Sequence, residues 1–122
     1  SIHIKIMSDF IIYHNPRCSK SRQTLEILDQ HDLETEIVLY LDNPPSAEEI
    51  ASILNKLELS PRDILRKGED AYKELNLKND KLTNKDLINF MVENPKLIER
   101  PIVIRGDKAV IGRPPENVLS LV

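Results

Sequence analysis

Two short β-rich runs, Asp9-Phe10-Ile11-Ile12-Tyr13 and Thr35-Glu36-Ile37-Val38-Leu39, stand either side of a helical pattern running from Ser19 to about Gln30. Strands joined through a helix at this spacing form a βαβ unit, so they lie parallel with a right-handed crossover. Nothing else in the chain narrows the choice of fold as much. The C-terminal end has the opposite geometry: Pro101-Ile102-Val103-Ile104-Arg105 and Lys108-Ala109-Val110-Ile111 flank Gly106-Asp107, a two-residue hairpin with glycine at the first turn position. A parallel pair and an antiparallel pair together predict a mixed α/β sheet of four strands with helices on both faces.

Residues 46–98 read as a helical block between these halves. Ser46 and Glu49 form a capping box ahead of apolar Ile50, Ile53, Leu54 and Leu57. Ser60-Pro61-Arg62-Asp63 opens a second, short helix with proline at its first position. Residues 69–82 give no clear pattern, and Thr83-Asn84-Lys85-Asp86 opens a further helix that Asn94-Pro95 stops. A short helix containing Val118 and Leu119 ends the chain. At 122 residues, 1–122 reads as a single domain large enough for a core without disulfides. Residues 1–6 ahead of Met7-Ser8 read as an addition before a native start, and the beginning does not have the pattern of a signal peptide.

The loop between the first strand and first helix, His14-Asn15-Pro16-Arg17-Cys18-Ser19-Lys20-Ser21-Arg22, holds the only cysteine in the chain. Helix-start N–H groups lack intrahelical partners, and the helix dipole adds positive charge at the same place. Both stabilise a thiolate and cradle an oxyanion. Arg17, Lys20 and Arg22 add cationic side chains, so Cys18 is the candidate nucleophile, against the general tendency of free cysteines to be small buried hydrophobes. Three residues on stands Ser21, a Cys-x-x-Ser arrangement without a resolving thiol, so an external thiol such as glutathione is required. His14 either holds positive charge near the sulfur or is a loop histidine bonded to backbone. Asn15 reads as a turn residue whose side chain orders the loop, and Ser19 and Ser21 as helix caps, anion donors, or both.

Outside the loop, Arg66, Arg100 and Arg113 sit at element ends, where they are either solvated charges or converging donors for a tetrahedral anion. Pro101 is a candidate cis-proline. The carboxylates fall on predicted helix faces, where solvation is the default. No phosphate loop, dinucleotide fingerprint or metal-ligand spacing occurs, and His3, His14 and His31 do not make a zinc site. A net charge of −3 without tryptophan argues against nucleic acid as partner, and no apolar run reaches membrane-spanning length. One cysteine suits a reducing compartment.

A nucleophilic cysteine at the end of the first strand is where thioredoxin-like proteins carry theirs. The chain from Asp9 to Leu121 resembles the glutaredoxin-coupled arsenate reductase family, often called the ArsC family. The resemblance rests on Tyr13 to Arg22, Tyr40-Leu41 before Pro44-Pro45, Leu65-Arg66-Lys67, Glu99-Arg100-Pro101-Ile102-Val103 and Gly112-Arg113-Pro114. It implies a thioredoxin-like fold with a helical insertion and a cis bond before Pro101. It implies Cys18 as nucleophile, with His14 beside the thiolate and Ser21 and Arg22 supporting it. Arg66, Arg100 and Arg113 would bind the arsenic oxyanion. It also implies arsenate reduction through a thiol-arsenate adduct, with glutathione as co-substrate, glutaredoxin as partner and no bound cofactor, in a cytoplasmic monomer. Two alternatives accompany it. One is a monothiol oxidoreductase acting on another substrate. The other is a module resembling the Spx regulators, which bind RNA polymerase; their redox-sensing members carry the Cys-x-x-Cys pair that Ser21 interrupts here.

Overall fold

A computed structural model describes residues 10–122 of the chain; Asp9, His3 and the proposed addition over residues 1–6 lie outside the described residues. The βαβ unit consists of β1 (Phe10–Tyr13), α1 (Ser19–Gln30) and β2 (Thr35–Val38). The hairpin pairs β3 (Ile102–Arg105) with β4 (Lys108–Ile111). Sheet order is β2-β1-β3-β4, with β1 parallel to β2 and antiparallel to β3. Arg105 faces Lys108 across the turn, and Gly106 takes φ +60, which a side chain would disfavour.

Between the halves lie α2 (Ala47–Leu57), α3 (Asp70–Glu74) and α4 (Asn84–Glu93). The capping box of α2 is reciprocal: Glu49 N donates to Ser46 Oγ at 3.1 Å and Ser46 N to Glu49 Oε1 at 3.4 Å. Thr83 and Asp86 repeat the device on α4. Two segments expected as ordinary helices are 3₁₀ turns, Pro61–Ile64 and Pro115–Leu121. Both begin at a proline, and the first is only one turn long, so the tighter i→i+3 bonds suffice there. Residues 69–82, without clear pattern in sequence, contain only the five-residue α3.

Strand alternation divides the core between the two faces of the sheet. Phe10, Ile12 and Val103 pack with Leu28 of α1 and with Val118 and Leu121 from the C-terminal turn. Tyr13, Ile102 and Ile104 face the other way, against Ile50, Ile53, Leu54, Leu87 and Met91 of the helical insertion. The two layers of helix thus come from different parts of the chain. They leave the C-terminal ends of β1 and β2 open to the loops that build the site.

Candidate active site

Cys18 is the N-cap of α1, at φ −93 and ψ 122, and no side chain caps the helix there. Neither Ser19 nor Ser21 takes the capping role the sequence offered them. Ser19 is exposed, and the Ser21 hydroxyl is buried and committed elsewhere. Ser21 Oγ lies 2.6 Å from His14 Nδ1 and accepts from Asn15 N at 3.1 Å. Asn15 orders the turn, its Oδ1 accepting from Arg17 N at 3.0 Å and its carbonyl from Cys18 N at 3.0 Å. His14 N reaches Val38 O at 2.9 Å, so the loop leaves β1 while still tied to β2.

Burial lowers the His14 pKa below its ordinary value, which favours the neutral imidazole. Its contact is with Ser21, which makes it a support for the loop. Ser21 acts through its backbone: burial pushes the Cys18 thiol up, but the Ser21 N–H, the Arg100 side chain and the Lys20 N–H together hold it below its ordinary value. Arg17, Lys20 and Arg22 are exposed, and Arg100 brings a charge that lowers the thiol. Arg113 is the second guanidinium at the sulfur, with Nη1 3.8 Å from Sγ.

The long-range cations are brought in by backbone. A bridge between Leu65 and Ile98 carries two bonds, Arg66 N to Leu97 O and Glu99 N to Ile64 O, both 2.8 Å. It sets Arg66 beside Glu99 and Arg100. Gly112 N donates to Pro101 O at 2.9 Å, and Arg113 Nη1 to Arg100 O at 3.2 Å, which adds Arg113 to the group. The Arg100–Pro101 and Arg113–Pro114 bonds are both cis. Sequence reading named only the first.

Arg66, Arg100 and Arg113 therefore converge, but not as free donors. Glu99 Oε1 accepts from Arg66 Nη1 at 2.9 Å and lies 3.7 Å from Arg113 Nε. Glu69 Oε1 lies 3.3 Å from Arg66 Nε and 3.7 Å from Arg100 Nη1. These carboxylates are not the solvated helix-face charges expected of them: they hold three planar guanidiniums in one orientation. Glu69 precedes α3, in a segment without readable pattern. Glu99 sits beside Arg100 in a quoted motif, yet no local spacing announces that it pairs with Arg66, 33 positions away. Tyr40 was likewise part of a motif without a role. Its ring is buried at 1% exposure, and burial pushes its phenol up to about 12. Among the described residues, no group of three or more His, Cys, Asp or Glu is placed to hold a metal.

A four-stranded mixed sheet with a thiol at the first helix start defines a thioredoxin-like protein. More narrowly, the chain belongs to the ArsC family, whose model matches residues 13–121. It is 54% identical over 112 residues to YfgD of Escherichia coli K12, an uncharacterized protein, covering 91% of this chain and 94% of that one. A protein named arsenate reductase from Neisseria meningitidis serogroup B is 47% identical over 113 residues, covering 92% and 97%. The structure of an arsenate reductase from Vibrio cholerae superposes with a TM-score of 0.91 at 45% identity, covering 93% of this chain and 97% of that one.

Proposed function

We propose that the chain reduces arsenate to arsenite, with Cys18 as nucleophile and glutathione as reducing co-substrate. The observation that carries this reading is the lowered thiol of Cys18 lying against Arg100 and Arg113. A thiolate attacking an anion must overcome charge repulsion, and fixed guanidiniums reduce that barrier before the reactants meet. The family and the names of its similar members supply the identity of the anion.

Arsenate docks against Arg66, Arg100 and Arg113 at the N-terminus of α1. The Cys18 sulfur attacks arsenic, and one arsenate oxygen leaves as water, giving a sulfur–arsenic(V) adduct. A glutathione thiolate then attacks the Cys18 sulfur, and the electron pair of the S–As bond stays on arsenic. Arsenite departs as arsenic(III), leaving a Cys18–glutathione disulfide. A glutaredoxin thiol attacks the glutathione sulfur and returns Cys18, since the chain has no second cysteine to do so. All the side chains that meet arsenate in this reading come from one chain, so a monomer suffices, and the reducing cytoplasm is the compartment that keeps such a thiol active.

The test is arsenate-dependent oxidation of NADPH with glutathione, glutathione reductase and glutaredoxin supplied. Turnover is expected for the native chain and none for Cys18→Ser. Native turnover no faster than the variant's would leave a monothiol oxidoreductase with a different substrate.

A further inference from the structure

Each of the two carboxylates at this site presents one oxygen to two guanidiniums. Glu99 Oε1 lies 2.9 Å from Arg66 Nη1 and 3.7 Å from Arg113 Nε, and also accepts from Arg100 N at 3.2 Å. Glu69 Oε1 lies 3.3 Å from Arg66 Nε and 3.7 Å from Arg100 Nη1. Three cations and two anions leave this cluster with one unit of positive charge. The Cys18 sulfur, 3.8 Å from Arg113 Nη1, offsets that unit when it ionises. A ligand beside the thiolate then meets many N–H donors but no formal surplus of charge from the cluster. What remains is the partial charge of the α1 start, roughly half a unit. The five side chains are between 16% and 36% exposed, so water and salt screen their charges only in part.

We propose that Glu69 and Glu99 are specificity-determining residues, which make the site take a singly charged tetrahedral oxyanion in preference to a doubly charged one. The arginines supply planar forks of donors for the oxygens, while the carboxylates remove the excess charge that would draw a dianion. The chemistry gives this preference a use. An arsenate with one negative charge still carries two protons. Attack of the Cys18 thiolate on it forms the S–As bond and breaks one As–O bond. The departing oxygen takes both protons and leaves as water. The adduct keeps the two negative charges of thiolate and arsenate, and no proton comes from outside. A doubly charged arsenate brings only one proton, so its oxygen leaves as hydroxide unless another acid supplies the second. This use of the preference rests on the arsenate-reductase reading; the preference itself rests on the charges of the cluster.

The experiment reads how phosphate and sulfate protect Cys18 from iodoacetamide, a neutral reagent, at about pH 6 and fixed ionic strength. Phosphate is then mostly singly charged and sulfate doubly charged. In the native chain phosphate should half-protect at the lower concentration. Glu99→Gln and Glu69→Gln each remove one negative charge and keep an oxygen able to accept from the same guanidinium. Either should shift the ratio of the two half-protecting concentrations toward sulfate, by about three- to tenfold given the partial exposure of the carboxylates. Carboxylates that only orient the arginines would weaken both anions alike and leave the ratio in place. Stronger protection by sulfate in the native chain, an unchanged ratio in either folded variant, or no protection by either anion would overturn the proposal. The two substitutions lie on separate segments, so a folding defect in one leaves the other to decide. A shifted ratio without arsenate turnover in the native chain would uphold the preference and sink the arsenate reading. Turnover with an unchanged ratio would do the reverse.

Discussion

At the scale of single residues, the site depends on which cation faces the sulfur. The loop advertises Arg17, Lys20 and Arg22, all exposed, whereas the charge that lowers Cys18 belongs to Arg100, far along the chain. The consequence is testable by pH. A thiol held below its ordinary value is already thiolate where a free cysteine is not, and only the thiolate alkylates. Replacing Arg100 with Ala removes both a hydrogen bond and a positive charge, so the midpoint of the alkylation profile should move up. At pH 6 the rate should fall severalfold; at a pH well above the thiol's ordinary value the two proteins should converge. A variant of Arg22 should leave the profile in place. Cys18 as candidate nucleophile was legible in sequence because strand end, loop and helix start are contiguous. The lowered pKa of His14 was not, because it depends on burial, which no local pattern reports.

Elements set these residues at their distances. The junction of α1 with the segment after β4 is tight: a Cβ at Gly112 would meet Thr24 Oγ1 at 2.5 Å and Pro101 Cγ at 2.8 Å. Thr24 Oγ1 is itself bonded to Lys20 O at 2.8 Å, so it has little room to yield. Gly112→Ala should cost about 1–3 kcal/mol of stability by overpacking, read as a lower denaturant midpoint at unchanged slope. Because Gly112 also ties Pro101 and leads into Arg113, thiol reactivity should change with it. Elements with a local signature were readable: the capping box of α2, the start of α4 at Thr83, the hairpin glycine and the βαβ spacing all appear where expected. What sequence did not disclose is tertiary. The Leu65–Ile98 bridge joins two stretches with no shared periodicity, and no local pattern marks Pro61–Ile64 and Pro115–Leu121 as 3₁₀ rather than α.

Across the whole molecule, one face of the sheet is covered by the chain ends' contribution and the other by the insertion. The mixed pairing of the sheet followed from connection rules, but the meeting of Arg66, Arg100 and Arg113 needs the insertion folded back onto β3. No helix among the described residues is long and apolar enough to cross a membrane. A last consequence comes from the sulfur having no sibling anywhere in the sequence. Hydrogen peroxide would turn Cys18 into a sulfenic acid, and no intramolecular thiol can trap that state before a second equivalent drives it to the sulfinic acid. Exposure to peroxide alone should therefore kill activity beyond recovery by dithiothreitol. Glutathione present during exposure should preserve most of it, by condensing with the sulfenic acid and releasing water. Mass spectrometry would show two added oxygens in the first case and one glutathionyl group in the second. The nearest guardian of this thiol against oxidative ruin is thus a tripeptide in solution.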